Sequence, residues 1–214
     1  MSRKKHSKIF PRNLQSFQRK NGKQKRVRVL IVCEGKTEQA YFNAFRQKLR
    51  LSGLSGISIE IPKDPGGTSP KNLLNYAKKA YSKDNDYDRL YCVFDRDLHA
   101  TYLTTQEEID RLRNAKTAIP IYWIASNPCF EVWIINHFAL RVTAFGSSKS
   151  VESLLRRLLP NYKKNDPDLF AKIDSKRKDA KSNTKKLLKH QGNNPKIDPY
   201  TNMHELIEYL EQCR

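Results

Sequence analysis

From Val27 the chain enters a near-continuous apolar run, Val-Arg-Val-Leu-Ile-Val-Cys, rich in β-branched side chains. Such a run predicts a strand buried on both faces of a parallel sheet. Thr37 to Leu51 then places Ala40, Tyr41, Ala44, Phe45 and Leu49 at helical spacing, with Gly53 and Gly56 to end it. Ile57 to Ile61 alternates as a short strand does, and Pro65-Gly66-Gly67 marks the loop that follows. Ser69 and Pro70 read as the cap and first position of a helix whose inner face is Leu73, Leu74, Ala77 and Ala80. Asp88 to Asp95 is a third strand, Thr105 to Asn114 a modest helix opened by Thr104 or Thr105, and Ile119 to Ala125 a fourth strand. Strands alternating with helices predict an α/β sheet whose ligands sit beyond the carboxyl ends of the strands.

After Ser126 the pattern changes. Pro128 to Phe138 reads as an apolar helix, and Val151 to Leu159 and Met203 to Leu210 as later ones. Between them, Lys163 to His190 carries ten Lys or Arg and four Asp with little apolar periodicity. The organisation read from this is a basic arm over residues 1–26, an α/β core over 27–145, and a helical C-terminal extension over 146–214.

Charge changes the picture. Lys and Arg number 41 against 22 Asp and Glu, a net charge of +19 in 214 residues. That surplus points to a polyanionic partner. Eleven of the basic residues lie between Met1 and Arg28, with no acidic one among them. Arg19, Lys20, Lys23, Lys25 and Arg26 are therefore expected to contact nucleic-acid phosphates; the alternative is a solvated basic tail. No apolar stretch approaches the roughly 20 residues of a membrane span, and no apolar segment follows the basic N-terminus as a secretory signal needs. No membrane partner and a cytoplasmic location are the expectations. The cysteines, Cys33, Cys92, Cys129 and Cys213, have no zinc-ribbon or redox spacing.

The candidate chemistry lies where the strands end. The first closes with Cys33-Glu34-Gly35-Lys36-Thr37-Glu38 and the third with Phe94-Asp95-Arg96-Asp97. If the two strands are parallel neighbours, Glu34, Asp95 and Asp97 meet at one sheet edge. Carboxylates gathered there repel one another unless a cation neutralises them, and hard oxygen ligands suit Mg²⁺ or Mn²⁺. Glu38 faces the same place if the helix starts promptly. Taken singly, each acid can also be read as a helix cap or a solvated loop residue. Gly35-Lys36-Thr37 is not a P-loop ending, because the glycine required five residues earlier is Leu30.

The run Leu30 to Glu38, with Val93-Phe94-Asp95-Arg96-Asp97 about sixty residues on, resembles the Toprim signature of a strand-end Glu and a later Asp-x-Asp. More narrowly, the chain is similar to the RloB family. That similarity includes Glu-Gly-Lys-Thr-Glu, Phe-Asp-Arg-Asp, Ser126 to Trp133 with His137-Phe138, and Asn194-Pro195 through Thr201 to Leu206. The resemblance implies a Toprim-like Rossmannoid parallel sheet with helices on both faces. It also implies an antiviral, abortive-infection effector paired with a separately encoded ABC-like ATPase. It places Glu34 as the motif glutamate, Asp95 and Asp97 as metal-binding aspartates, and Glu38 as a second acid found in the nuclease branch.

The expected activity is Mg²⁺- or Mn²⁺-dependent hydrolysis of nucleic-acid phosphodiesters, with Glu34 as general base or metal ligand. The alternative is a noncatalytic nucleic-acid-binding subunit; a primase-like nucleotidyl transferase ranks third. Lys36 and Arg96 either hold phosphates and balance the acids or form surface salt bridges. Asn127 either caps the helix begun by Pro128 or reaches the same edge. Glu131 is either a site residue or faces water, because burying it unpartnered is costly. Trp133 and Phe138 read as core, and His137 and His204 as structural histidines.

Overall fold

The computed structural model describes residues 27–51, 57–60, 62–63, 66, 68–96 and 100–213. The basic arm, with Arg19, Lys20, Lys23, Lys25 and Arg26, lies outside the described residues, as does Asp97.

Five strands form one sheet in the order β2-β1-β3-β4-β5: β1 Val27–Cys33, β2 Ile57–Glu60, β3 Arg89–Asp95, β4 Ile121–Asn127 and β5 Tyr200–Thr201. The first four are parallel and β5 is antiparallel to β4. The fold is mixed α/β and Rossmann-like. Alternation along each strand divides the core between two layers. Val29, Ile31, Tyr91, Val93 and Ile124 face one side, where helix α1 (Lys36–Leu51) packs. Leu30, Val32, Leu90, Cys92 and Ala125 face the other, against α2 (Pro70–Lys83) and α3 (Tyr102–Arg113). A strand buried on both faces has no polar side to alternate with, which is why β1 and β3 read as near-continuous apolar runs. Each fully buried Val, Leu or Ile contributes about 1.5–3 kcal/mol relative to exposure.

Local chemistry sets some helix boundaries and not others. Ser69 caps α2 by accepting from the Asn72 N–H, with Pro70 at the first position. α3 begins at Tyr102, earlier than the expected Thr104 or Thr105 start, and Thr101 makes no side-chain cap. The expected Pro128 to Phe138 helix shrinks to α4, Glu131–Ile135. His137 N–H bonds to Ile134 O and Phe138 N–H to Ile135 O, so its end tightens into i→i−3 turns.

Four further helices follow: α5 Ser148–Leu158, α6 Leu169–Ile173, α7 Arg177–His190 and α8 Met203–Gln212. α6 and α7 occupy the stretch that shows no apolar period. The inner face of α7 is Ala180, Thr184, Leu187 and Leu188, so two of its buried positions are small or polar, and Asn136 Nδ2 donates to Thr184 Oγ1 at 2.9 Å. β5 also eluded the sequence, since two residues make no pattern. Asn202 fixes the segment after it. Its Oδ1 accepts from Ala125 N at 2.8 Å while its own N–H donates to Ala125 O. Among the described residues no helix is long and apolar enough to cross a membrane.

Candidate functional site

β1 and β3 are adjacent, and the chain leaves β1 for β2 on one side and reaches β3 on the other. That reversal is the topological switch point of an open α/β sheet, where the strand ends leave a crevice. The Glu34 N–H donates to Val93 O at 3.0 Å, continuing the β1–β3 ladder one residue past the strand. The Asp95 N–H donates to Glu34 Oε2 at 3.1 Å, so the two acids are joined directly.

Two further acids arrive from helix starts. Glu38 lies in the first turn of α1 and Glu131 opens α4; both are buried. Gly35 makes room for Glu38: a Cβ at Gly35 would collide with Glu38 Oε2. The Phe130 N–H donates to Asp95 Oδ2 at 3.0 Å, which ties the β4–α4 turn to β3. Tyr162 O–H donates to Glu131 Oε1 at 2.7 Å, partnering an acid otherwise expensive to bury.

The electrostatics follow from the crowding. Burial, then the charges of Glu38, Glu34 and Glu131, push the Asp95 carboxyl well above the carboxylate range, against the Phe130 N–H. Glu38 is pushed up to about 7, by burial first and then by Glu131 and Glu34; its own backbone N–H and Lys164 oppose the rise. Lys164 itself pairs with Glu152 at 2.9 Å. Burial and the Glu131 and Asp95 charges raise the Cys129 thiol, whose neighbours include the side chains of Glu131 and Ser148.

Glu34, Glu38, Asp95 and Glu131 thus share one electrostatic site. Asp97, expected beside them, is outside the described residues. Lys36 is exposed at the start of α1. Arg96 turns from the acids, its Nη1 donating to Lys196 O at 2.6 Å. Asn127 is no helix cap: it is the last residue of β4, and its Nδ2 donates to Ile197 O at 2.9 Å and Pro195 O at 3.4 Å. Arg96 and Asn127 therefore hold the 194–198 segment beside the site. Trp133 is fully buried, and His137 Nδ1 lies 3.0 Å from Trp133 O.

Tyr162, Lys164 and Asn165 are the residues sequence reasoning missed. Thr37 Oγ1 donates to Asn165 Oδ1 at 3.2 Å and accepts from Asn165 N–H at 3.1 Å, docking their loop on α1. Asn165 has φ 60°, a left-handed conformation that Asn tolerates. Nothing local in Tyr-Lys-Lys-Asn marks this docking.

Crowded carboxylates, two buried and two half-buried, are a set whose mutual repulsion a hard divalent cation would relieve. Among the described residues, however, no three His, Cys, Asp or Glu stand arranged to hold a metal ion. Oxygens of Glu34, Asp95 and Glu131 already accept protein hydrogen bonds.

No curated protein and no solved structure matches the chain. A family model does, that of the RloB-like proteins, over residues 29–210, and the chain belongs to that family.

Proposed function

We propose that the chain is a divalent-metal-dependent nuclease of Toprim type, hydrolysing nucleic-acid phosphodiesters as the effector of an antiviral system with a separately encoded ABC-like ATPase. One observation carries the chemistry. Glu34 and Asp95 close neighbouring parallel strands at the switch point and are hydrogen-bonded there, with Glu38 and Glu131 near enough to act on Asp95. The antiviral setting and the ATPase rest on the family resemblance.

Glu34, Asp95 and Asp97 would hold Mg²⁺ or Mn²⁺, with Glu38 as a further oxygen donor. Such a cation neutralises a phosphate oxygen and lowers the pKa of water. The protein's own groups do the rest. The Phe130 N–H fixes the Asp95 carboxylate, Tyr162 fixes Glu131, and Lys164 supplies positive charge beside the acids.

The deciding experiment incubates the full chain with labelled RNA and duplex DNA, with and without Mn²⁺, alone and with its partner ATPase. Metal-dependent cleavage is expected. The second reading, a noncatalytic nucleic-acid-binding subunit, is favoured by the protein donors that already engage three of the carboxylates, and binding without cleavage under every condition would establish it.

Gly35 gives a more local test. Gly35→Ala should displace the Glu38 carboxylate while leaving β1 and α1 in place. Misplacing a site group by about 1 Å can cost on the order of 100-fold in rate. Cleavage should therefore fall roughly 10- to 100-fold with unchanged circular dichroism; an unaltered rate would remove Glu38 from the site.

A further inference from the structure

The helix α5 carries two stripes. Ser148 and Glu152, one turn apart, look toward the acids: Ser148 neighbours Cys129, and Glu152 pairs with Lys164. Lys149, Ser153 and Arg157, also one turn apart, lie on the adjoining stripe and line an open groove with Arg141 and Phe145. The groove measures about 430 Å³, within the roughly 300–1,000 Å³ of ligand clefts.

Its lining holds three cations and no acid. Lys149 and Arg157 are exposed and have no ion-pair partner among the described residues. Arg141 lies over the Phe145 ring, 4.9 Å from its centroid, with its Nε donating to Thr143 O. Asp198, bonded to the Phe145 turn, is directed to the backbone, its Oδ2 accepting from the Phe145 and Gly146 N–H groups at 3.0 and 2.6 Å. Those bonds pin the Phe145 turn to the 194–198 segment, which Arg96 and Asn127 hold beside the carboxylates.

We propose that this groove binds a single-stranded segment of nucleic acid. Lys149 and Arg157 contact phosphates along the strand, and a base stacks on the Arg141 guanidinium that lies over Phe145. Unpaired cations along a groove follow a phosphate backbone, and a guanidinium plane on an aromatic face adds sequence-tolerant stacking. A duplex buries its base faces and would leave the Arg141–Phe145 stack unused. Because α5 borders both the groove and the acids, a strand lying here leads toward Glu34 and Asp95. That direction rests on the nuclease reading; the binding itself does not.

The test uses the full chain in EDTA with fluorescein-labelled 12-mer oligothymidylate and oligouridylate, read by anisotropy across a salt series. Lys149→Glu with Arg157→Glu should weaken binding about tenfold or more, and flatten the plot of log K against log salt by about 1.4, roughly 0.7 per lost phosphate contact. Lys79→Glu with Lys83→Glu, on α2 across the sheet, changes net charge equally and should have a much smaller effect. Phe145→Ala should weaken binding of oligothymidylate and leave an abasic oligomer of equal length unaffected. Wild-type affinity and slope in the Lys149→Glu, Arg157→Glu protein, or equal losses in both charge-reversed pairs, would overturn the groove. Groove binding that survives here, with no cleavage in Mn²⁺ alone or with the partner ATPase, would overturn the nuclease reading alone.

Discussion

Asp95→Asn should abolish metal-dependent cleavage, by on the order of 10³-fold, which is ~4 kcal/mol of transition-state stabilisation, and yet leave the protein at least as stable as the wild type. Both halves come from the same contacts. The amide keeps an oxygen that can accept from the Phe130 N–H, so the link between β3 and the α4 turn survives. What it loses is the charge, and that charge is one the fold opposes. Burial and three neighbouring carboxylates already drive the Asp95 carboxyl well above the carboxylate range. A group retained against such repulsion is retained for something other than stability. The measurement pairs a cleavage time course in Mn²⁺ with thermal unfolding of the same preparation. Lost activity with lost folding would make Asp95 a structural residue, and retained activity would move the metal elsewhere.

Part of this architecture is legible in the bare chain because it is local. The runs Val29 to Cys33 and Leu90 to Phe94 are apolar throughout, and only a strand covered on both faces needs that. Glu34 and Asp95 are conspicuous for the complementary reason: an acid directly after such a run has to sit at the sheet edge. Ser69-Pro70 announces its helix through backbone chemistry alone.

What the sequence conceals is the closure of the site from a distance. Asn127 before Pro128 has every mark of a helix cap, yet its side chain serves carbonyls almost seventy residues away. Glu131 reads as costly to bury because its partner, Tyr162, comes from a loop with no signature of its own. α7 is invisible to apolar periodicity because Ala180 and Thr184 occupy half of its buried stripe. Arg96, between two candidate ligands, reads equally as a phosphate contact or a surface salt bridge, but the Lys196 carbonyl claims it. In each case the deciding contact spans dozens of residues, and no local pattern encodes it.

The second large effect concerns Glu38. The side chain is buried, and its carboxyl is held up at about 7 against a usual 4.5, chiefly by burial and then by the Glu131 and Glu34 charges. A carboxyl whose folded pKa lies above its unfolded value contributes stability that is full below about pH 4.5 and is lost as pH rises through 7. A rise of that size, at about 1.36 kcal/mol per pH unit, is worth ~3 kcal/mol. Glu38→Gln has no such penalty. Its stability relative to wild type should be near zero at pH 4.5 and grow to about 3 kcal/mol at pH 8, a gain in melting temperature on the order of 5–10 °C. Divalent cations supply the converse control. Mn²⁺ at a hundred times its dissociation constant stabilises a single site by about 2.7 kcal/mol, and it should do so for the wild type at pH 8 far more than at pH 5, where protons compete for the same oxygens. The Glu38→Gln protein, with one ionisable donor fewer, should gain less. Melting curves at both pH values, with Mn²⁺ or EDTA, read all of this at once. A pH-independent difference between the two proteins would place the Glu38 carboxylate in water, outside the crowd of charges that defines the site.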